Sequence, residues 1–357
     1  MTLLITGGTG LVGQALVRYL MKETPYVYEP HKIRLLIRKK RGNPQRQRFI
    51  DWCEKTGIDL VWGDLRFDET IRAFSQVTDP NSSILIHAGA IFNLWQPFDQ
   101  LYDINVNGTR RILKAFDQSS IKKLIYISSV AVYGCMNGGN QGVTEEYPIN
   151  LQMKENYELS KALGEDLVQK YHVNNPDKLI TILRPSGIIG GSSSTLDVFS
   201  RMFFGRFVPL PRGGKDKISL VDTVDVARAI IFFANFNRGN GEIYNLVSCT
   251  PTLREVVQEL GKALQKERIS IISIPLFMFK PMYYIARLIR KVKRAKENSM
   301  LLPMLFDKLG QDIWIDSEKV KSIGFQYTID LSESMKRFRT FIVENPWYVQ
   351  NKLNISL

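Results

Sequence analysis

Cysteine and histidine are scarce in this sequence, which has three of each among 357 residues. Cys53, Cys135 and Cys249 are widely spaced and form no CxxC pair, so neither a disulfide framework nor a structural zinc site is expected. The scattered histidines likewise predict no histidine-rich metal site. Strand-like residues begin at Leu3, which leaves no room for a signal peptide, and we therefore expect a cytoplasmic protein.

Acidic residues are outnumbered, because 35 Asp and Glu stand against 48 Lys and Arg and give a formal net charge of +13. Such an excess first suggests a nucleic-acid-binding protein. The basic residues are concentrated in residues 1–50 and again in residues 280–296. Each run is either a solvated face or an anion site, for a phosphate-bearing cofactor in the first and for an anionic membrane in the second. Nucleic acid is therefore not expected as a partner.

Long apolar runs are absent from the first half of the chain, which instead alternates short apolar segments with helical patterns. The apolar segments are Leu-rich or β-branched throughout, as strands buried on both faces are. Their alternation with helices predicts an α/β fold, with a parallel sheet covered on both sides. The predicted strands are 3–5, 33–37, 60–61, 84–87, 124–128, 179–183 and 241–247, and the predicted helices are 11–22, 99–117, 153–172 and 222–234.

The second half of the chain has a different organisation. Residues 190–219 are rich in Gly, Ser, Pro and Phe and have weak periodicity. After Thr250, predicted helices at 253–266 and 332–344 flank an apolar stretch. We predict a sheet-containing domain of residues 1–190, joined by residues 218–248, and a smaller C-terminal lobe of residues 191–217 and 249–345.

A glycine-rich turn lies between the first predicted strand and the first predicted helix. Gly7 permits a tight turn, Gly10 allows close approach of a pyrophosphate, and Gly13 allows the helix to pack on the strand. The helix N-terminus adds free N–H groups and a partial positive charge. The pattern predicts a phosphate cradle, formed by Gly7, Thr9, Gly10, Leu11, Val12 and Gly13.

The end of the second strand is where an adenosine ribose would lie. An Asp or Glu there would select NAD, but the sequence reads Ile37, Arg38, Lys39, Lys40 and Arg41. Arg38 could hold a 2′-phosphate in a charge-assisted pair, or lie in a solvated loop. We favour NADP, with NAD as the alternative.

Tyr157 and Lys161 lie four residues apart in a predicted helix, which places them on one face. Moving a phenol pKa from ~10 to about 7 takes roughly 4 kcal/mol, which one cation at ~4 Å supplies at an effective dielectric constant of ~20. A Tyr general acid with a Lys helper is one interpretation, and an ordinary surface pair is the other. Ser129, at the end of a strand, offers a hydroxyl for a substrate carbonyl, or a helix cap.

Together these residues resemble the extended short-chain dehydrogenase/reductase family, over nearly the whole chain. The glycine turn is similar to TGxxGxxG, and Tyr157 and Lys161 match the catalytic pair. The other motifs that carry the resemblance are Gly63-Asp64-Leu65, His87-Ala88-Gly89-Ala90, Asn105-Val106-Asn107-Gly108-Thr109, Ser129 five residues before Gly134, Leu183–Gly190, Val221–Ala227 and Asp316–Lys319 followed by Ile323-Gly324-Phe325. At Gly89 the family has Ala, a difference expected to leave the cofactor contact intact.

The resemblance implies a Rossmann doubly wound parallel sheet, an NAD(P)-binding domain and a substrate-binding lobe. It implies that Tyr157 transfers a proton, that Lys161 assists it and holds the nicotinamide ribose, and that Ser129 binds the substrate oxygen. Asn105 either steadies this relay or is a structural amide. The remaining implied cofactor contacts are Asp64 and Leu65 at the adenine, the backbone of Ala88, Gly89 and Ala90, and Pro185, Gly187 and Ile188 beside the nicotinamide. A homodimer through the helices at 99–117 and 153–172 is also implied.

Three functions remain open at this point. The first is an NADP(H)-dependent oxidoreductase that interconverts a hydroxyl and a carbonyl, on the branch that includes thioester reductases and hydroxysteroid dehydrogenases. The second is a nucleotide-sugar epimerase with bound NAD, and the third is a non-catalytic protein that keeps the nucleotide for stability. The intact Ser-Tyr-Lys set disfavours the third function. Phe199, Met202, Phe203, Phe204 and Phe207 suggest an apolar pocket for a small-molecule substrate, or plain core.

The segment 269–296 combines an apolar stretch with a dense basic run. Residues 269–279 are too few to span a bilayer, which needs ~20 residues. Residues 282–294 then alternate apolar with basic residues, a pattern typical of an interfacial helix. The segment predicts either peripheral contact with an anionic membrane or a lobe helix packed on the larger domain.

Overall fold

The structure, a computed structural model, is built around one sheet of seven parallel strands. It describes residues 1–22, 28–38, 44–93, 96–134, 142–191, 193–200, 203, 206–236, 239–266, 268–275, 277–278, 281 and 314–348. The strands of the central sheet are β1 (Leu3–Thr6), β2 (Ile33–Ile37), β3 (Asp59–Trp62), β4 (Ile84–His87), β5 (Lys123–Ile127), β6 (Leu179–Pro185) and β10 (Ile243–Leu246). Two short parallel pairs lie outside it and comprise β7 (Gly187–Ile189) with β9 (Leu220–Asp222), and β8 (Phe207–Pro211) with β11 (Ser270–Ile274).

The strands of the central sheet follow the order β3-β2-β1-β4-β5-β6-β10. The chain reverses direction across the sheet between β1 and β4, and this switch point opens the crevice in which α/β sheets bind ligands. The predicted α/β fold with a doubly wound parallel sheet is confirmed.

Helices cover both faces of the sheet, as the continuous apolar strands require. Leu3 and Ile5 of β1 belong to a core on one face, and Leu4 belongs to a core on the other. The helices are α1 (Leu11–Lys22), α2 (Pro44–Thr56), α3 (Asp68–Ser75), α4 (Phe98–Leu101), α5 (Gly108–Gln118), α6 (Asn156–Asn174), α7 (Ser194–Ser200), α8 (Thr223–Asn235), α9 (Leu253–Ala263), α10 (Glu318–Ser322) and α11 (Leu331–Glu344).

The helix predicted at 99–117 is not one continuous α-helix. A π-helix, Tyr102–Asn107, separates α4 from α5. Such widened turns are rare and are frequent at functional sites. The π-helix carries the predicted site residue Asn105.

Two C-terminal segments satisfy buried polar groups of the sheet domain. The fully buried carboxylate of Asp225 on α8 accepts hydrogen bonds from the backbone N–H groups of Thr328 and Ile329, at 3.0 and 3.1 Å. The buried side chain of Asn245 on β10 donates to the carbonyl of Asp316 at 3.0 Å. Residues 316–329 therefore belong structurally to the sheet domain they cover.

A separate hydrophobic core joins α7, β8, α9 and α11. Phe199 is buried in this core and Phe203 packs against it, whereas Phe207 is exposed, and Met202 and Phe204 lie outside the described residues. The predicted division of the chain into two domains stays a prediction.

The segment 269–296 is only partly described. Its first part forms β11, and residues 276, 279–280 and 282–296, which include the predicted amphipathic helix, lie outside the described residues. Across the described ranges of the chain, no helix has the length and apolar character needed to cross a bilayer.

Candidate active site

The glycine turn between β1 and α1 packs so tightly that side chains are excluded. Gly7 has a φ of +71°, and a Cβ there would lie 2.7 Å from the carbonyl oxygen of Ala88. A Cβ at Gly13 would lie 2.4 Å from the carbonyl oxygen of Gly7. The turn closes with a 2.8 Å hydrogen bond from Gly10 N–H to Gly7 O, and α1 begins at Leu11, followed by Val12. The first N–H groups of a helix have no intrahelical acceptor, so this cradle presents donors to an anion.

A buried histidine ties the cradle to the neighbouring strand and helix. His87 Nδ1 lies 2.6 Å from Thr6 Oγ1, and its Nε2 lies 3.1 Å from Thr109 Oγ1. Burial lowers the pKa of His87 to about 3, and the charge of Lys161 contributes to this lowering, so the ring is neutral and links two hydroxyls. The sequence placed His87 in a motif without giving it this role.

The glycine that departs from the family's motif has a structural reason. Gly89 N–H donates to Thr6 Oγ1 at 3.1 Å. A Cβ at Gly89 would lie 2.9 Å from both Thr6 Oγ1 and Leu65 Cδ1. The close approach of Leu65 in this chain therefore requires Gly where the family has Ala.

The adenosine end of the cleft contains two arginines. Arg38 follows β2, and Arg46 on α2 donates a hydrogen bond to the carbonyl of Arg38. Burial lowers the pKa of Arg46, and the charge of Arg38 adds to this effect, because the two cations lie near each other. Arg46 was missed by the sequence analysis, since α2 carries no motif.

Asp64 lies beside these arginines and is already engaged by a third. Arg66 donates to both carboxylate oxygens, at 3.1 and 2.9 Å, and Arg38 lies 4.0 Å from one of them. Burial raises the pKa of Asp64, but Arg66 and Arg38 hold it below its usual range, so the carboxylate is ionised. One cleft is lined by Gly7, Thr9, Gly10, Leu36, Arg38, Arg46, Gly63, Asp64, Leu65, Ala88, Gly89, Ala90, Ile91 and Ile104.

Tyr157 lies in the first turn of α6 and meets two of its expected surroundings. The hydroxyl of Ser129, just after β5, hydrogen-bonds to the Tyr157 phenol, and Phe92 contacts the Tyr157 ring edge-on with centroids 4.8 Å apart. Burial raises the pKa of Tyr157 above its usual value, against the lowering effect of Ser129, and Glu158 raises it further. The sequence argument expected Lys161 to lower this pKa, whereas desolvation dominates here.

Lys161 lies one turn further along α6 and is almost fully buried. Its Nζ donates to the carbonyl of Ile127 at 2.9 Å and lies 5.0 Å from the ring centroid of Tyr126. Burial lowers the pKa of Lys161 to about 8, and the carboxylate of Glu165 partly opposes this. The ammonium is therefore largely charged at neutral pH and is fixed at the end of β5.

Asn105 is buried, and its side chain is used to position backbone. Its amide N–H group donates to Ile91 O at 3.1 Å and to Ser160 Oγ at 2.9 Å, and its oxygen accepts from Ile91 N–H at 2.7 Å. Ser160 in turn donates to the carbonyl of Tyr157 at 2.7 Å. The structural interpretation of Asn105 fits these contacts, because the residue fixes the segment after β4 against the start of α6.

Beneath Lys161 lies a buried ion pair. Glu165 is fully buried, and Arg184 on β6 donates through Nε to both of its oxygens at 3.1 Å. Ser128 also donates to Glu165, and Arg184 donates to Tyr133 Oη at 2.7 Å. The pair joins α6, β5 and β6 at the sheet edge that carries Ser129 and Lys161.

The segment predicted beside the nicotinamide follows the same edge. Pro185 ends β6, and β7 contains Gly187 and Ile188. Between them lies Ser186, which is 5% exposed and whose hydroxyl has no hydrogen-bond partner within the described part of the chain. The glycine cradle, the cations and this unsatisfied hydroxyl fit an elongated anionic ligand with polar ends, as a dinucleotide is.

Sequence comparison places this geometry in a known group. The profile of the NAD dependent epimerase/dehydratase family matches residues 3–246, and the chain belongs to this family. It is an enzyme of the extended short-chain dehydrogenase/reductase type.

The relatives of the chain differ in their reactions. It is 25% identical to 3beta-hydroxysteroid-dehydrogenase/decarboxylase isoform 2 of Arabidopsis thaliana, over 93% of this chain but only 60% of the relative's length. It is 26% identical to sterol demethylase protein B of Methylococcus capsulatus, over 73% of this chain and 74% of that protein. It is also 26% identical to an Escherichia coli O157:H7 N-acetyl-alpha-D-glucosaminyl-diphospho-ditrans,octacis-undecaprenol 4-epimerase, over 68% of this chain and 71% of that protein.

Solved structures share the fold at lower identity. The UDP-glucose 4-epimerase of Thermus thermophilus, in complex with NAD, superposes with a TM-score of 0.70 at 18% identity, covering 97% of this chain and 100% of that one. The dTDP-glucose 4,6-dehydratase of Bacillus anthracis, also in complex with NAD, gives a TM-score of 0.70 at 19% identity and covers 98% of both chains.

Proposed function

We propose that the protein is an NADP(H)-dependent reductase that converts a carbonyl group of an apolar small molecule into a hydroxyl. The observation that carries this proposal is the hydrogen bond between Ser129 and the buried Tyr157, above the fixed ammonium of Lys161. A phenol with a raised pKa keeps its proton at neutral pH and is suited to protonate a developing alkoxide.

Each residue of the set has a distinct task in this mechanism. Ser129 donates a hydrogen bond to the substrate carbonyl and orients it towards Tyr157. Tyr157 gives its proton to the oxygen as the bond to carbon is reduced. Lys161 stabilises the phenolate that Tyr157 leaves, because an opposite charge nearby favours the ionised form. The cofactor, when bound, supplies the hydride.

The residues that would hold the cofactor divide along its length. Gly7, Thr9 and Gly10 and the N-terminus of α1, with Leu11, Val12 and Gly13, would bind the pyrophosphate. Asp64 and Leu65 would contact the adenine, and Lys161 would contact the nicotinamide ribose. Ala88, Gly89, Ala90, Pro185, Gly187 and Ile188 would supply backbone contacts. Phe92, with 53% of its surface exposed beside Tyr157, offers an apolar contact for the substrate.

The direct test follows the absorbance of NADPH with purified protein and a panel of aldehydes, ketones and acyl thioesters. Consumption of NADPH that depends on an apolar carbonyl compound supports the reductase. Conversion of nucleotide sugars without net change in absorbance would support the epimerase instead. Tight binding of NADPH without its consumption by any compound of the panel would favour the non-catalytic alternative.

Preference for NADP over NAD rests on Arg38 and Arg46, which line the cleft where an acid would select NAD. We expect Arg38→Asp to raise the Kd for NADP⁺ about tenfold or more, since it removes a charge-assisted partner and adds a repulsive carboxylate. Isothermal titration with NADP⁺ and NAD⁺ measures the change. Arg48→Asp, on an exposed position of α2, makes the same charge change and should leave both constants unaltered. Wild-type protein that binds NAD⁺ more tightly than NADP⁺ would refute the preference.

Peripheral contact with a membrane is a further part of the proposal. Phe277 is 77% exposed, and Ile272, Met278 and Phe207 are also exposed, while basic residues follow in the sequence at 287–296. Apolar side chains beside a basic run suit an anionic lipid interface. A homodimer and a cytoplasmic location stay predictions.

Sedimentation with liposomes tests this contact. We expect the protein to pellet with anionic liposomes at low salt and to be released at high salt, because each basic residue near the surface contributes ~1 kcal/mol. Reversal of Arg290, Lys291, Lys293 and Arg294 to Glu should abolish pelleting. If the reversed protein pellets as the wild type does, residues 269–296 have only a structural role.

A further inference from the structure

The hydroxyl of Ser186 is an energetic anomaly in the described structure. Ser186 is 5% exposed, its backbone N–H donates to Leu246 O at 3.0 Å, and its Oγ has no partner within the residues the structure describes. A buried polar atom without a hydrogen bond is costly, and native structures contain few of them. Such an atom is expected where a ligand completes the site.

The position of Ser186 in the sheet indicates which ligand group this is. Ser186 follows β6, and Ser129 follows the neighbouring parallel strand β5, with Ile127 in register with Leu183. Both serines therefore lie just beyond the carboxyl edge of the sheet, where α/β proteins bind ligands. Ser129 is engaged with Tyr157 and Ala131, whereas the Ser186 hydroxyl is not engaged by the described protein.

We infer that the Ser186 hydroxyl binds the carboxamide of the nicotinamide ring and so fixes the face that the ring presents to the substrate. A carboxamide carries both a donor and an acceptor, and a serine hydroxyl can complement either. Ser186 lies between Pro185 and Gly187, which are proposed to contact the ring through backbone only. This inference rests on the proposed nucleotide-binding function and adds a side-chain contact to it.

The inference predicts opposite effects of one substitution on binding and on stability. Ser186→Ala should weaken NADP⁺ binding about 5- to 30-fold, because the carboxamide loses its partner in a buried site. The same substitution should raise the Tm of the protein without nucleotide by about 2 °C, because it removes an unsatisfied polar atom. A serine with a merely structural role would lower Tm on substitution.

Isothermal titration with two ligand pairs isolates the ring contact. NADP⁺ and 2′-phospho-ADP-ribose differ only in the nicotinamide, and so do NAD⁺ and ADP-ribose. We expect Ser186→Ala to weaken the nicotinamide-containing member of each pair and to leave the other unchanged. Ser75→Ala is the matched control, because Ser75 is buried but satisfied by a 2.8 Å hydrogen bond to Ile71 O, and it should lower Tm without affecting binding.

The outcomes separate this inference from the proposed function. Equal affinity of wild type and Ser186→Ala for NADP⁺ and NAD⁺ would overturn the role of Ser186 alone. Equal weakening of all four ligands would also overturn it, since the effect would then not depend on the ring. Failure of the wild type to bind any of the four would refute the nucleotide-binding function itself.

Discussion

Tyr157→Phe is expected to lower kcat about 10²- to 10⁴-fold, which is the usual contribution of a positioned general acid. The substitution removes one oxygen and leaves the ring, so the edge-on contact with Phe92 persists. The Kd for NADP⁺ should stay nearly unchanged, because the phenol hydroxyl is bound to Ser129 and acts in proton transfer. Steady-state turnover of NADPH with the best carbonyl substrate measures kcat, and calorimetry measures Kd.

Tyr171→Phe provides the control for this experiment. Tyr171 lies on the same helix, and its hydroxyl hydrogen-bonds to Asp117 at 3.0 Å on the surface. Its loss should leave turnover at the wild-type level. Wild-type turnover in Tyr157→Phe would remove Tyr157 from the mechanism, whereas equal losses in both variants would indicate a general effect on α6.

Arg184→Met is expected to destabilise the protein by about 3–5 kcal/mol, because it leaves the carboxylate of Glu165 buried without its cation. Both side chains are almost fully buried, and Glu165 has Ser128 and Gln169 as its other partners. Hydrogen bonds from these neutral groups do not replace a full charge in a low-dielectric site. Urea unfolding followed by circular dichroism measures the free energy of unfolding.

Two further variants show whether the buried charge is the cause. Glu165→Gln combined with Arg184→Met should recover most of the loss, since no uncompensated charge then remains. Lys170→Met breaks the exposed pair of Lys170 with Asp166 on the same helix and should cost only about 0.3–0.5 kcal/mol. If the double variant is as unstable as Arg184→Met alone, lost packing rather than charge accounts for the effect.

The sequence predicted the elements whose local pattern agrees with their place in the fold. The central strands are apolar along their whole length, and α1 has the predicted bounds, because strand burial and helix amphipathicity are both visible locally. Helices α2 and α3 were missed, since α2 is rich in charged and amide side chains and α3 is only eight residues long. The π-helix could not be predicted, because Asn105 forms its hydrogen bonds with residues distant in sequence, Ile91 and Ser160.

The candidate site was predicted where its residues belong to a motif with fixed spacing. Tyr157, Ser129 and the glycine turn are of this kind. Arg46 was missed because its proximity to Arg38 depends on the path of the chain before α2. The raised pKa of Tyr157 and the unsatisfied hydroxyl of Ser186 depend on burial, which a linear sequence does not report. Spacing thus identifies the reacting groups, whereas their environment requires the assembled fold.

The hydrogen bonds of Asp225 and Asn245 impose an order on the birth of this protein. During translation, α8 and β10 leave the ribosome some seventy residues or more before Asp316, Thr328 and Ile329. Until those residues emerge, the Asp225 carboxylate must stay hydrated, because burying it without its donors is prohibitively costly. The nascent nucleotide-binding half therefore remains open on that side. The final chain segment acts as a latch that permits the last desolvation step.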